Sequence, residues 1–281
     1  MQEVATGYGL IEGPVWEPDQ GLYFSDVLNG GVYRLRLDDS ISEVVPRRRG
    51  VGGMALHASG GIVVSGRDVS YAPLSGAEGK VLLTPAQASP DAIGFNDLTT
   101  DALGRIYVGS LAFRVFGGEA PKPGRLHRIN LDGSVDTLSD GVMLTNGLGF
   151  SPDGRSLYHS DSRAPGVRVY EVAADGAVGP WRMFASLGQG TPDGLKVAED
   201  GSVWLADARG GRVAVFNPDG SHRTDVKIPL PMVTSLCFGG DLRDLYVVTG
   251  SDGGPKENCA TIFRMRVDVA GLPLSAARVA V

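Results

Sequence analysis

Four polar side chains occupy one position of a repeated pattern. Glu12, Asn96 and Asp193 each stand 10 residues ahead of a short apolar run, and Asn146 stands 11 ahead of one. Two carboxylates and two carboxamides brought to one place form an oxygen cage suited to a divalent cation. The same position in the two remaining repeats holds Gly52 and Thr234. Turn chemistry accounts for Asn146-Gly147 or Asp193-Gly194 taken singly. It accounts poorly for Glu12, because Glu is no turn former. A cation cage is therefore the expectation.

The elements that must position these residues are strands. Apolar runs begin at Leu22, Ile62, Ile106, Leu157, Val203 and Leu245, spaced by 40, 44, 51, 46 and 42 residues. Turns such as Asp19-Gln20-Gly21, Asp153-Gly154-Arg155 and Glu199-Asp200-Gly201 precede most of them, as hairpins require. Third strands follow, among them Val32 to Leu35, Arg125 to Ile129, Val167 to Tyr170, Val213 to Phe216 and Ile262 to Met265. No segment carries a long 3.6-residue periodicity. A period in the forties, four strands per unit and six units describe an all-β fold, a six-bladed β-propeller of antiparallel blades. One domain spanning residues 1–281 is expected, with the N-terminal stretch around Glu3 to Thr6 closing the ring as the outer strand of the last blade. The first strand of each blade lines the central channel, so the six equivalent positions form a ring at one mouth. Loops after the second strands surround that mouth, including Arg67-Asp68, Asp161-Ser162-Arg163, Asp207-Ala208-Arg209 and Ser251-Asp252-Gly253. The longest runs from Leu111 to Gly124 and carries Phe113, Arg114, Phe116 and Glu119.

Bulk properties narrow the partners. A net charge of −6 argues against nucleic acid, which needs a basic face. No window approaches 18 consecutive apolar residues, so no membrane helix is expected. Two cysteines cannot build a disulfide framework, and no signal peptide is visible, which together predict a reduced, cytoplasmic setting. The expected partner is a small-molecule substrate, and the expected assembly a monomer or small homo-oligomer. Four scattered histidines make no metal-binding helix pair, and His159 falls inside a predicted strand, facing core or channel. Neither a Gly-x-Ser-x-Gly elbow nor a phosphate loop occurs.

Five pieces of the chain resemble the SMP-30/gluconolactonase-like (regucalcin-type) family: Glu12 to Trp16, Phe95 to Asp97 with Asp101 to Gly109, Thr145 to Leu148, Pro192 to Gly194, and Thr234 to Gly240. They occur in family order over all but the second blade. The resemblance implies a six-bladed propeller with one divalent metal held by Glu12, Asn146 and Asp193, and with Asn96 nearby. Oxygen ligands leave Ca, Zn, Mg, Mn and Fe open. It also implies hydrolysis of a lactone, with Asp193 the expected general base and Asn96 orienting water or substrate. The substrate contacts expected are Asn96, Phe113 and Arg114. Two positions depart from the family: Gly94 replaces an Arg that grips aldonolactones, and Arg114 falls where a substrate-contacting Glu is usual. The exchange predicts an anionic lactone or ester, since Arg suits a carboxylate. Hydrolysis of other esters or phosphotriesters, and a non-catalytic metal-binding propeller, are the alternatives.

Overall fold

A computed structural model describes residues 1–164 and 166–281. Six four-stranded antiparallel sheets stand as blades around a central channel. Strand β1 (Gln2–Tyr8) pairs with the last strand, β24, and completes blade 6. Blade 1 is β2 (Ile11–Glu17), β3 (Gly21–Asp26), β4 (Val32–Leu35) and β5 (Ile41–Val45). Blade 2 is β6 (Met54–His57), β7 (Gly61–Val64), β8 (Val69–Pro73) and β9 (Lys80–Leu83). A one-turn helix, α1 (Pro85–Ala88), capped by Thr84, leads into blade 3. Blade 3 is β10 (Gly94–Thr100), β11 (Ile106–Leu111), β12 (Gly124–Ile129) and β13 (Val135–Val142). Blade 4 is β14 (Thr145–Phe150), β15 (Ser156–Asp161), β16 (Gly166–Glu171) and β17 (Arg182–Ser186). Blade 5 is β18 (Pro192–Val197), β19 (Val203–Asp207), β20 (Arg212–Phe216) and β21 (His222–Lys227). Blade 6 is β22 (Val233–Gly239), β23 (Asp244–Thr249), β24 (Ala260–Arg266) and β1. The six-bladed architecture and its closure by the N-terminal strand are as the repeat period predicts.

The blades are held by apolar faces pressed together. Val167, Val169 and Phe184 of blade 4 meet Leu195 and Leu205 of blade 5, all buried. Each such side chain contributes roughly 1.5–3 kcal/mol on burial. Beyond β24 the chain crosses the end of the ring opposite the mouth. Leu272 N–H donates to Val197, Thr100 Oγ1 donates to Ser275 at 2.5 Å, and Ala277 bridges His57. Ala277 and Val279 end buried among side chains of blades 2 and 3.

The inner strands share a defect at the site. In blades 1, 3, 4, 5 and 6 the register between first and second strand slips at the repeat position: Glu12/Val15, Phe95/Leu98, Thr145/Leu148, Pro192/Leu195 and Val233/Ser235. A bulge re-aims the side chain it carries. In blades 1, 3, 4 and 5 it accompanies a repeat residue that lines the channel mouth, whereas in blade 6 Thr234 turns to backbone carbonyls instead. Blade 2 pairs without a slip, and its repeat residue is Gly52.

Two histidines are built into the blades. His127 and His159 are fully buried. Burial lowers His127 to about 4 and His159 to about 3, with Arg125 and Arg168 adding to the effect. Both values lie below the ordinary imidazole value, so the unfolded chain takes up protons first as pH falls through about 6.5. Stability that is complete above that pH is then lost toward pH 4. Between pH 7 and 4.5 the wild-type melting temperature is expected to fall more steeply than that of a His127→Gln, His159→Gln double variant, because the raised carboxyls of Glu12, Asp97 and Asp193 act in the opposite direction in both proteins. Parallel profiles would contradict the assignment.

Candidate functional site

The mouth opens into a cavity of about 980 Å³. Glu12, Asn96, Asn146 and Asp193 all line it. Glu12, Asn146 and Asp193 are 9%, 8% and 7% exposed, so each is buried while lining the cavity. The other two ring positions do not join them. Thr234 is fully buried and donates to the carbonyls of Ile11 at 2.6 Å and Val248 at 3.2 Å, tying blade 6 to blade 1. Gly52 is occupied from outside: the Asn96 Oδ1 atom sits where a Cβ on Gly52 would go.

Hydrogen bonds chain the amides across three blades. Asn96 Nδ2 donates to the Thr145 carbonyl at 2.8 Å and to Asn146 Oδ1 at 3.0 Å. Asn146 Nδ2 donates to Ser162 Oγ at 2.8 Å, and Ser162 Oγ donates to the Pro192 carbonyl at 2.5 Å. That series runs directly to Asp193. Its Oδ1 atom is buried and has no hydrogen-bond partner. His159 faces this region from the core side, pairing through Nε2 with Thr145 Oγ1 at 2.6 Å, and so buttresses the residue before Asn146.

The electrostatics are those of crowded, buried carboxyls. Burial raises Glu12 well above the ordinary carboxylate range, and the charges of Asp193 and Asp97 raise it further. Burial and Asp97 act on Asp193 in the same direction. Asp97 is itself raised by burial, with Lys196 opposing. Neither Asp97 nor Lys196 is assigned a role in the site from sequence, although Asp97 lies in one of the pieces that resemble the family. A signal for Asp97 was present: it occupies the position after the ring residue, where blades 1, 2, 4 and 5 carry Gly13, Gly53, Gly147 and Gly194. Lys196 lies between Leu195 and Val197 in the inner strand of blade 5 and gave none.

Three aspartates fix the site from behind. Asp26, Asp161 and Asp207 end the second strands of blades 1, 4 and 5 and are at most 1% exposed. Asp26 accepts from the N–H groups of Gly9 at 2.9 Å and Leu10 at 3.3 Å, just ahead of Glu12. Asp161 accepts from Met143 at 3.0 Å and Leu144 at 3.1 Å, ahead of Asn146. Asp207 accepts from Thr191 at 3.0 Å, ahead of Asp193. These clamps stand in the three blades whose ring residues are Glu12, Asn146 and Asp193. Each carboxylate also accepts from the turn that follows its own strand, at Asn29, Arg163 and Arg209.

The long loop is placed at the mouth, as the topology predicts for a loop after a second strand. Phe113 lines the cavity with only 1% of its surface exposed. Arg114 lies at the rim, where Glu119 engages it: its guanidinium meets Glu119 at 3.2 Å and its backbone N–H meets the same carboxylate at 2.9 Å. Gly94 also lines the mouth. A Cβ there would lie 2.9 Å from the Gly66 carbonyl oxygen, so the backbone of blade 2 occupies the room a side chain needs.

Among the described residues, no three His, Cys, Asp or Glu side chains converge as a metal-ligand set. A cation at this mouth therefore needs a neutral oxygen as its third donor, and Asn146 Oδ1 is the one that Asn96 already marks as an acceptor.

Comparison with known proteins agrees with this architecture. Residues 10–251 match the family described as SMP-30/Gluconolactonase/LRE-like region. The pentonolactonase XacC of Haloferax volcanii is 31% identical over 96% of this chain and 95% of its own. The 6-deoxy-6-sulfogluconolactonase of Pseudomonas putida is 32% identical over 93% of this chain and 92% of its own. A solved luciferin-regenerating enzyme superposes with a TM-score of 0.88 at 24% identity, covering 98% of this chain and 97% of that one, and so shares the fold.

Proposed function

The chain belongs to the SMP-30/gluconolactonase/LRE-like family, and from that premise we propose that it is a divalent-metal-dependent lactonase. The two relatives named above are called lactonases, which supports the substrate class. One observation carries the metal: Asp193 Oδ1 is a buried acceptor with no donor, beside a second buried carboxylate. Buried carboxylates that raise one another's proton affinity, one with an oxygen that no donor reaches, are a place where a hard cation relieves the repulsion. Glu12, Asn146 and Asp193 would hold it, and their all-oxygen set leaves Ca, Mg, Mn, Zn and Fe open. When bound, the cation would polarise the lactone carbonyl as a Lewis acid.

The remaining work falls to side chains. Asp193 takes the proton of the attacking water as its oxygen bonds to the acyl carbon. The ring C–O bond then breaks, and the same proton passes to the departing alkoxide, giving a hydroxy acid. Asn96, anchored through Nδ2 to Thr145 and Asn146, orients water or substrate. The Asn146–Ser162–Pro192 series keeps the amide and Asp193 in fixed relation. Phe113 and Leu144 form an apolar edge that excludes bulk water.

The test is metal removal. Protein stripped with chelator and checked by elemental analysis should lose turnover of γ- and δ-lactones and melt at lower temperature. Adding back one cation at a time should restore both. Undiminished lactone turnover in verified metal-free protein would sink the reading. A phosphotriester run beside the lactones tests the wider hydrolase alternative.

A further inference from the structure

Arg163 and Arg209 occupy one repeat position on neighbouring blades. Each follows a clamp aspartate by two residues, and each donates its backbone N–H to that carboxylate at 3.3 Å. Their turns are thereby fixed to the strands that carry Asn146 and Asp193. Most arginines nearby are neutralised: Arg48 and Arg67 on Asp68, Arg114 on Glu119, Arg168 on Asp161, Arg212 on Asp207. Arg163 and Arg209 have no acidic partner among the described residues. Both line the cavity mouth.

The mouth is basic although the chain carries −6 overall. Beyond Glu12 and Asp193, its lining has five arginines, two of them held by Asp68 and Glu119, which leaves Arg49, Arg163 and Arg209 without an ion pair among the described residues against a single further acid, Asp252. Such a rim attracts anions and concentrates them at the opening. The mouth is also apolar. Leu28, Ile93 and Phe116 line it while 48%, 48% and 71% exposed. Uncharged polar side chains are scarce there, and Asn96, Asn146 and Ser162 already bond to one another. A polyol would find few partners.

We propose that this mouth selects lactones carrying an acidic substituent on an apolar body, with Arg163 and Arg209 gripping the anion. The assignment rests on the lactonase reading and moves anion recognition from Arg114 to blades 4 and 5. A guanidinium fork matches the oxygens of a carboxylate, sulfonate or phosphate. Apolar atoms of the substrate lie against Leu28, Ile93 and Phe116.

A designed panel tests it on metal-loaded protein. The substrates are γ-butyrolactone unsubstituted, with a ring carboxylate, with a ring phenyl group, and with both, beside glucono-1,5-lactone as the polyol. Sulfonate and phosphate analogues rank the anions. The doubly substituted lactone should have the highest kcat/KM, and the polyol the lowest. An Arg163→Gln, Arg209→Gln double variant should erase about 100-fold of the preference for carboxylated over neutral lactones, through KM rather than kcat. Arg163→Lys and Arg209→Lys keep the charge and should retain part of it. Rising salt should shrink the wild-type preference and leave the double variant indifferent. The assignment is overturned if the carboxylate confers no advantage, if the advantage survives the double variant, or if Arg114→Gln alone abolishes it. If no member of the panel is opened at all, the lactonase reading fails and carries this assignment with it.

Discussion

Asp193→Asn is expected to lower lactone turnover by about 1,000-fold or more, while raising the melting temperature of metal-stripped protein. The first effect follows from the two duties placed on one carboxylate. Loss of a positioned base alone costs roughly 10²–10⁴-fold, and loss of a charged ligand weakens cation retention besides. The second effect follows from burial. Asp193 is 7% exposed, and Glu12 feels its charge. An amide removes that repulsion and supplies an N–H that can donate to Glu12. The side chain keeps its volume, so the bulge that presents it is undisturbed. Kinetics with added metal and melting curves in chelator read the two effects separately. A variant that retained wild-type turnover would remove Asp193 from the chemistry. A variant that melted lower in chelator would show that no repulsion is stored there.

Gly147→Ala should damage stability and activity together. Gly147 follows Asn146 in β14, where the inner strand of blade 4 lies against that of blade 5. A Cβ at Gly147 would come 2.7 Å from the Asp193 carbonyl oxygen and 2.7 Å from the Gly194 carbonyl carbon. Those atoms are backbone and cannot rotate aside. Gly194 repeats the arrangement one blade on, with its Cβ position 2.8 Å from the Ser235 Cα. Overpacking typically costs about 1–3 kcal/mol, and a backbone obstacle belongs at the upper end. For a chain of this size that lowers the melting temperature by about 5 °C. The strands that part are the two that carry Asn146 and Asp193. A shift of about 1 Å between catalytic groups is worth around 100-fold in rate. Measured kcat and cation affinity should therefore both fall in a variant that still folds. Unchanged values would mean that the inter-blade spacing does not set the site.

Much of this was legible in the chain. The repeat period gives the propeller, and equivalence within the repeat brings Glu12, Asn96, Asn146 and Asp193 to one mouth. What position alone could not give was direction. Gly52 and Thr234 share the ring position, yet one yields its space to Asn96 and the other turns to Ile11 and Val248. The bulges that aim the side chains are offsets between paired strands, and a single strand's alternation does not encode them. The clamps were half visible. Asp161 and Asp207 could be placed at the mouth from topology, but their bonds to the preceding loops depend on burial. Arg114 drew attention because it departs from the family, whereas Glu119 engages it only once the loop has folded.

Ring closure sets an order of events during synthesis. The outer strand of blade 6 is β1, and Gln2 meets Arg264 across 262 residues of sequence. At about 5–20 residues per second, β1 leaves the ribosome tens of seconds before its partner exists. Throughout that interval it is an unpaired strand edge, the kind that recruits other chains. Lys and Arg are absent from it, and its burial pattern is largely exposed. The nascent ring thus holds an open seam until β24 is made, and Thr234 cannot reach the Ile11 carbonyl until blade 6 has emerged. Crowded expression, rather than heat, is where this protein should first aggregate.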